Sequence, residues 1–211
     1  MIIAIDGPAA AGKGTLARRL AAHLDFAFLD TGLIYRATGM KVVRDGGDPA
    51  DAAAAEAAAR SLTPDDMAAP GLRDDAAAQA ASKVAAIPGV RAALLDFQRG
   101  FARNPPDGGK GAVLDGRDIG TVVCPDAPAK LFVTARTEIR AERRLKELQE
   151  RGLPAIYAAV LRDMKERDAR DSNRGVAPLE PAKDAFLLDT SDLDAEAVFA
   201  KALSFVQSRM G

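Results

Sequence analysis

The run Asp6 to Thr15 reads DGPAAAGKGT. Gly7 and Gly12 can adopt backbone conformations that side chains resist, so successive N–H groups between them can turn inward around an anion. Lys13 adds a mobile full charge, and a helix starting there adds the positive end of its dipole. This is chemistry for holding a polyphosphate. The spacing fits the P-loop pattern up to the lysine, after which Gly14 stands where a Ser or Thr is asked for and Thr15 comes one step late. A hydroxyl directly after the lysine is therefore missing as a ligand. Mg²⁺, a hard octahedral cation, is then expected to rest on phosphates, waters and carboxylates.

A second group lies in AVLDGRDIG, which is apolar through Leu114 and polar at Asp115, Arg117 and Asp118. An Asp at a strand end beside a P-loop is placed to hold Mg²⁺ or its water shell, and Asp115 is the candidate, acting through water. Asp30 is a weaker candidate for the same duty. A third group, Arg167, Arg170, Asp171 and Arg174, falls at i, i+3, i+4 and i+7, one face of a helix that runs as far as Asn173. Three guanidinium groups on one stripe repel unless an anion or Asp171 compensates, so a phosphate-facing wall is expected. Arg36 belongs to the same supply of charge. Two anions of about −2 each, about 5 Å apart at an effective dielectric of about 20, repel by on the order of 13 kcal/mol. Lys13, Mg²⁺ and these arginines suffice to cancel that. Transfer of a phosphoryl group needs positioning and charge stabilisation more than acid–base groups, which suits a chain with one histidine.

The elements that must position these residues follow from short apolar runs at 2–5, 26–29, 112–114, 130–133 and 185–188, separated by helical patterns. Alternation of this kind predicts an α/β fold with a five-stranded parallel sheet covered on both faces, and ligands beyond the strands' C-terminal ends. Four of those ends carry Asp6, Asp30 with Thr31, Asp115 with Asp118, and Asp189 with Thr190. Two segments interrupt the alternation. Residues 45–81 are rich in Ala, Asp and Gly with Pro49, Pro64 and Pro70, and read as a peripheral helical insertion. Residues 136–174 hold eleven Arg or Lys against eight Asp or Glu, while the rest of the chain holds eighteen against twenty-two. Gly152 and Pro154 divide this segment into two helices, the pattern of a basic lid over an anion. The core is then 1–44, 82–135 and 175–211.

Composition narrows the class. A chain of 211 residues with 48% hydrophobic content can bury one core, and a net charge of −1 argues against a whole-protein nucleic-acid binder. The single cysteine, Cys124, excludes an internal disulfide and fits a reducing compartment; beside Pro125 it reads as a loop or strand-end residue. His23, late on the first helix, is an ordinary helix-end residue. The start of the chain passes directly into a strand, with no basic start or apolar h-region, and no run reaches membrane-spanning length. A cytoplasmic monomer that binds neither membrane nor nucleic acid is expected.

Taken in order, DGPAAAGKGTL, LDTGLIYR, ASKVAAIPGVRAAL, DGRDIGTVV and ERDARDSNRGVAPL resemble the motifs of one family, the bacterial cytidylate (CMP/dCMP) kinases among the nucleoside monophosphate kinases. The resemblance implies a P-loop NTPase three-layer fold and transfer of a phosphoryl group from ATP to CMP or dCMP. It implies that Gly7, Pro8, Ala9, Ala10, Ala11, Gly12, Lys13, Gly14 and Thr15 wrap the ATP phosphates, with Lys13 bridging donor and transferring groups. Ser82, Arg91 and Asp118 would read cytosine, whose N4 amine suits an acidic partner and whose N3 and O2 suit donors. Thr31 and Tyr35 would line the monophosphate pocket. Arg36, Arg117 and Arg174 would grip the acceptor phosphate, while Arg167 and Asp171 would contact its sugar hydroxyls. Two departures stand out: Ala9 and Ala10 replace the Ser and Gly frequent in the family, and residues 62–75 contain no β-rich run able to build the small three-stranded sheet common there. The acceptor-binding insertion is expected to be reduced.

Other readings of the same residues are a P-loop kinase for a different small molecule, a nucleotide-sensing switch, and an RNA binder using residues 136–174. The guanine-reading Asn-Lys-x-Asp motif of switch GTPases is nowhere in the chain. The interleaved acids and scarce aromatics of 136–174 do not suit RNA.

Overall fold

The computed structural model describes residues 1–210; Gly211, the last residue of the expected 175–211 core segment, lies outside the described residues. In chain order the elements are β1 (Ile2–Asp6), α1 (Lys13–Leu24), β2 (Ala27–Asp30), α2 (Thr31–Arg44), α3 (Ala52–Arg60), α4 (Pro64–Ala68), α5 (Asp75–Val84), α6 (Pro88–Arg103), β3 (Ala112–Asp115), β4 (Ala129–Thr134), α7 (Thr137–Glu150), α8 (Tyr157–Asn173), β5 (Phe186–Asp189) and α9 (Ala195–Gln207). A π-helical turn, Ile119–Val123, follows β3.

The five strands form one sheet in the order β2-β3-β1-β4-β5, every pairing parallel. Four strands extend to the acid expected at their ends, Asp6, Asp30, Asp115 and Asp189, and β4 ends on Thr134. The register sets Asp30 level with Asp115 across β2 and β3, and Ile5 level with Asp115 across β1 and β3. Asp6 is thus one residue further along the same edge, at the crevice where connections from β1 and β3 leave in different directions. In open α/β sheets that crevice is where ligands bind.

On one face Ile3, Ile5, Leu131 and Val133 meet Leu16 and Leu20 of α1 and Val198, Ala202 and Val206 of α9. Burying each such leucine contributes about 1.5–3 kcal/mol, which fixes the helix that carries Lys13 against the sheet. The other face joins Ala4 and Leu114 to Ile119, Val123 and Ala102.

The insertion is not peripheral. Ala55, Ala58 and Ala59 of α3 pack with Ile34, Tyr35 and Val42 of α2, Val84 of α5, and Val90 and Leu94 of α6 in a core of their own. Alanine carries little hydrophobic signal per residue, but a helix of small side chains approaches its neighbours closely and still excludes water. Among the described residues no strand lies between β2 and β3. Residues 62–75 instead hold the short α4, closed by a capping box in which Thr63 and Asp66 satisfy each other's backbone N–H. Helix α5 runs through residue 81, so the insertion and the core share a helix.

Candidate active site

The phosphate loop leaves β1 at Gly7, whose φ is 143°; a Cβ there would stand 1.9 Å from the Val133 carbonyl oxygen. Only glycine passes that point. Ala10 adopts φ 57° and Gly12 φ 91°. The left-handed conformation at Ala10 costs about 1–2 kcal/mol, so the small residue fits the loop but under strain. Gly12 precedes α1 without a side-chain cap, which leaves the first-turn N–H groups for a ligand. Lys13 is buried, donates from Nζ to the Pro8 carbonyl at 2.8 Å, and lies 3.9 Å from Asp115. Burial, reinforced by Arg117, pulls its pKa down to about 7, against the pull of Asp115. An amine so poised gains a full charge when an anion arrives.

Asp115 ends β3 facing the loop. A Cβ on Gly14 would lie 3.2 Å from its Oδ2, so glycine after the lysine leaves room for this carboxylate where a hydroxyl would otherwise stand. Burial raises the Asp115 pKa and Lys13 opposes the rise. Its backbone carbonyl accepts from the Thr31 hydroxyl at 2.8 Å, so Thr31 lines the pocket with its hydroxyl committed. Asp30 caps α2 with Oδ1, accepting from Leu33 N at 3.2 Å, while its Oδ2 lies 3.8 Å from Arg36 on the cavity wall. Among the described residues no three acidic, histidine or cysteine side chains cluster to bind a metal by themselves. One buried carboxylate opposite a phosphate loop fits a cation carried mainly by phosphates and water.

The residues assigned to phosphate, base, sugar and metal from the sequence line one cavity of about 550 Å³, apart from Gly7, Pro8 and Ala11, which form the loop behind it; Arg170 of the α8 stripe and the strand-end residues Asp6, Asp189 and Thr190 are not in its lining. Thr15, Arg36 and Tyr35 are among its walls. At its far end Arg91 and Asp118 form a buried ion pair, and Arg174 approaches Asp118 at 3.5 Å. Burial pushes the Asp118 pKa up, and Arg91 and Arg174 counter it. Asp171 accepts from Ser82 Oγ at 3.2 Å and from Arg117 Nε at 3.1 Å. Arg167 stands 4.0 Å from Asp171, and its Nε finds no hydrogen-bond partner among the described residues. Burial, with Arg117 beside it, lowers Arg167 to about 10. For Asp171 burial works upward, but Arg117 and Arg167 outweigh it and hold the carboxyl below its ordinary value.

The arginine stripe of α8 is only partly a wall. The helix ends at Asn173 and Arg174 has extended backbone, which swings its guanidinium off the helical face towards Asp118 and the Ala177 carbonyl. Arg170 turns to Gln79 and Ser82 rather than into the cavity. Repulsion among the three is relieved by divergence as much as by Asp171. Helices α7 and α8 are pinned together by Arg140, which is bonded to Asp168 at 2.6 Å and reaches the Ala9 carbonyl at 3.3 Å. The pair rests across the cavity on α5, with Arg144 on Asp75 and Arg151 on Asp74. Cys124 closes the π-helical turn, and burial pushes its thiol up to about 11. His23 packs edge-on to Phe199 at 5.6 Å, away from this chemistry.

Sequence reasoning did not single out Arg18, Arg73, Arg143 and Arg144, which also line the cavity. Arg18 lies one turn after Gly14 and Arg144 one turn after Arg140, so helical spacing could have found both. For Arg73 no local signal exists, because its place depends on how residues 62–75 fold back.

A family model described as cytidylate kinase matches residues 3–208 of the chain. The cytidylate kinase of Paramagnetospirillum magneticum (strain ATCC 700264 / AMB-1) is 75% identical over 208 residues, covering 99% of this chain and 98% of the relative. That of Rhodospirillum rubrum is 62% identical over 206 residues, covering 98% and 97%. Among solved structures, an uncharacterized protein from Eubacterium ventriosum matches with a TM-score of 0.58 at 15% identity over 99% of both chains, a likeness of fold alone.

Proposed function

The chain belongs to the cytidylate kinase family, and from that premise we propose that the cavity between the phosphate loop and the lid is where ATP meets CMP or dCMP. The reaction is ATP-dependent phosphorylation of CMP and dCMP to CDP and dCDP. One observation carries the assignment of parts: Lys13 and the loop amides at one end, and the Ser82, Arg91 and Asp118 constellation at the other, line a single cavity spanned by Arg36, Arg117 and Arg167.

At the donor end the loop amides, the α1 N-terminus and Lys13 hold the ATP phosphates, and Lys13 follows the γ-phosphoryl group as charge shifts towards the β-oxygen. Asp115, acting through water, would help the ATP phosphates hold Mg²⁺, which when bound would supply further neutralisation of that charge. At the acceptor end Arg36, Arg117 and Arg174 grip the monophosphate, with Thr31 and Tyr35 lining its pocket. Asp118 accepts the cytosine N4 amine while Arg91 and Ser82 donate to the base. Arg167 and Asp171 meet the sugar hydroxyls. The acceptor phosphate oxygen attacks the γ-phosphorus as the bond to the β-oxygen breaks, giving ADP and CDP. An arginine touching the transferring group lowers such a barrier by about 4–7 kcal/mol. Arg117, Arg167 and Arg174 are assigned this role beside Lys13, and the ion pairs of Arg117 and Arg167 with Asp171 loosen as ligands enter. The lid resting on α5 keeps water from competing as nucleophile.

No described helix is long and apolar enough to cross a membrane. A monomer acting in the cytoplasm, with nucleotides as its only partners, completes the reading. A coupled assay across CMP, dCMP, UMP and AMP tests it. CMP and dCMP are expected to give the highest kcat/KM, and a preference for UMP or AMP rejects the base assignment.

A further inference from the structure

Asp118 flanks the π-helical turn Ile119–Val123 at its N-terminal end, the position from which an Asp ordinarily accepts hydrogen bonds from the first free N–H groups. It makes no such bond. The turn's first two N–H groups are taken from β1 instead: Asp6 Oδ1 accepts from Ile119 N and Asp6 Oδ2 from Gly120 N, both at 2.7 Å, and Gly120 N is one that a cap from Asp118 would use. At the other end of the turn Arg99 donates to the Val122 and Val123 carbonyls, each at 3.0 Å. The turn is thus held by an acid at its positive end and a base at its negative end, both from other elements.

We propose that Asp6 is a positioning residue for base selection: by capping this turn from β1 it leaves the Asp118 carboxylate on the cavity wall, beside Arg91 and Arg174, instead of folded back on the turn. This rests on Asp118 reading cytosine. Capping and base reading are exclusive uses of the Asp118 carboxylate. Remove the acceptor at position 6 and two buried N–H groups lose their partners; Asp118, at the cap position, is the acid that can fold back to satisfy that of Gly120. Asp6 is not among the residues lining the cavity, and both of its carboxylate oxygens are taken by the turn, so it stands behind the ligand-contacting residues. It is also the residue directly before Gly7. One side chain therefore fixes the base-reading turn relative to the phosphate loop, and so fixes the distance over which the two nucleotides meet.

The test is Asp6→Asn, which keeps the shape but loses the charge and one acceptor. The kcat/KM ratio of CMP to UMP is expected to fall by about tenfold, the scale of one lost buried polar contact, through KM for CMP, with KM for ATP within about twofold. In an Asp118→Ala background the same change is expected to leave the ratio where Asp118→Ala alone puts it. An Asp6→Asn enzyme that melts lower yet keeps the ratio, or effects that add in the double variant, overturn the proposal. Hydrogen exchange on the unmodified enzyme tests it without any variant: the Ile119 and Gly120 amides are expected to be protected before CMP is added, and fast exchange there refutes it. Wild-type enzyme showing no preference for CMP over UMP would instead defeat the underlying assignment of Asp118.

Discussion

Gly7→Ala probes the joint on which the whole site turns. The added methyl would sit 1.9 Å from the Val133 carbonyl oxygen, far inside van der Waals contact, at a φ of 143° that L side chains rarely adopt. Val133 cannot retreat freely: it is fully buried, and its strand β4 is paired to β1 on one side and to β5 on the other. Backbone strain at such a residue costs about 1–3 kcal/mol and overpacking a filled site about as much again, so a loss of about 2–6 kcal/mol is expected. For a chain of this size that is a fall in melting temperature of about 5–20 °C. If the loop yields instead of the sheet, the strain moves into the phosphate cradle and KM for ATP rises more than tenfold at a smaller thermal cost. Scanning fluorimetry together with ATP kinetics separates the two. A Gly7→Ala enzyme that melts within about 1 °C of the parent and keeps KM for ATP within twofold would show that the loop is not confined as the sheet places it.

Two further outcomes concern pH. Lys13 is lowered to about 7, first by burial and then by Arg117, so above that pH the free enzyme is largely neutral there, and bound phosphates must draw a proton back on. Affinity for MgATP is expected to fall by up to tenfold per pH unit above about 7.5, with proton uptake visible by calorimetry in buffers of different ionisation enthalpy; affinity constant to pH 9 contradicts this. Asp66 is held well below the ordinary carboxylate range by Lys41 and then Arg44. A depressed carboxyl stabilises the fold above its unfolded pKa and loses that contribution as pH falls through its folded one. Asp66→Ala is therefore expected to lower the melting temperature at neutral pH and to flatten its decline in acid, and an unchanged acid limb would show that the residue carries no such linkage.

What could be read without coordinates was whatever sequence places close together. The phosphate loop, with Gly7, Gly12 and Lys13 inside seven residues, depends on local backbone geometry. The apolar runs name the strands for the same reason, most plainly β1, β3 and β4, which are buried on both faces and so apolar along nearly their whole length. Break points at Gly152 and Pro154 separate α7 from α8 because those residues act on their own dihedral angles. The insertion's core was not legible, because Ala55, Ala58 and Ala59 gain their hydrophobic value only from the neighbours that close over them. Nor was the departure of Arg174 from the stripe of α8, which is decided where the helix stops and where Asp118 waits. The capping of Ile119 and Gly120 by Asp6 lies furthest from any sequence pattern, because a carboxylate's partners are set by proximity across the sheet rather than by spacing along the chain. Types and order of residues thus determined which chemistry this chain can attempt. Tertiary folding decided which charges face one another, since hydrogen bonds and ion pairs act over a few ångströms and only the packed sheet brings residues from its two ends that close.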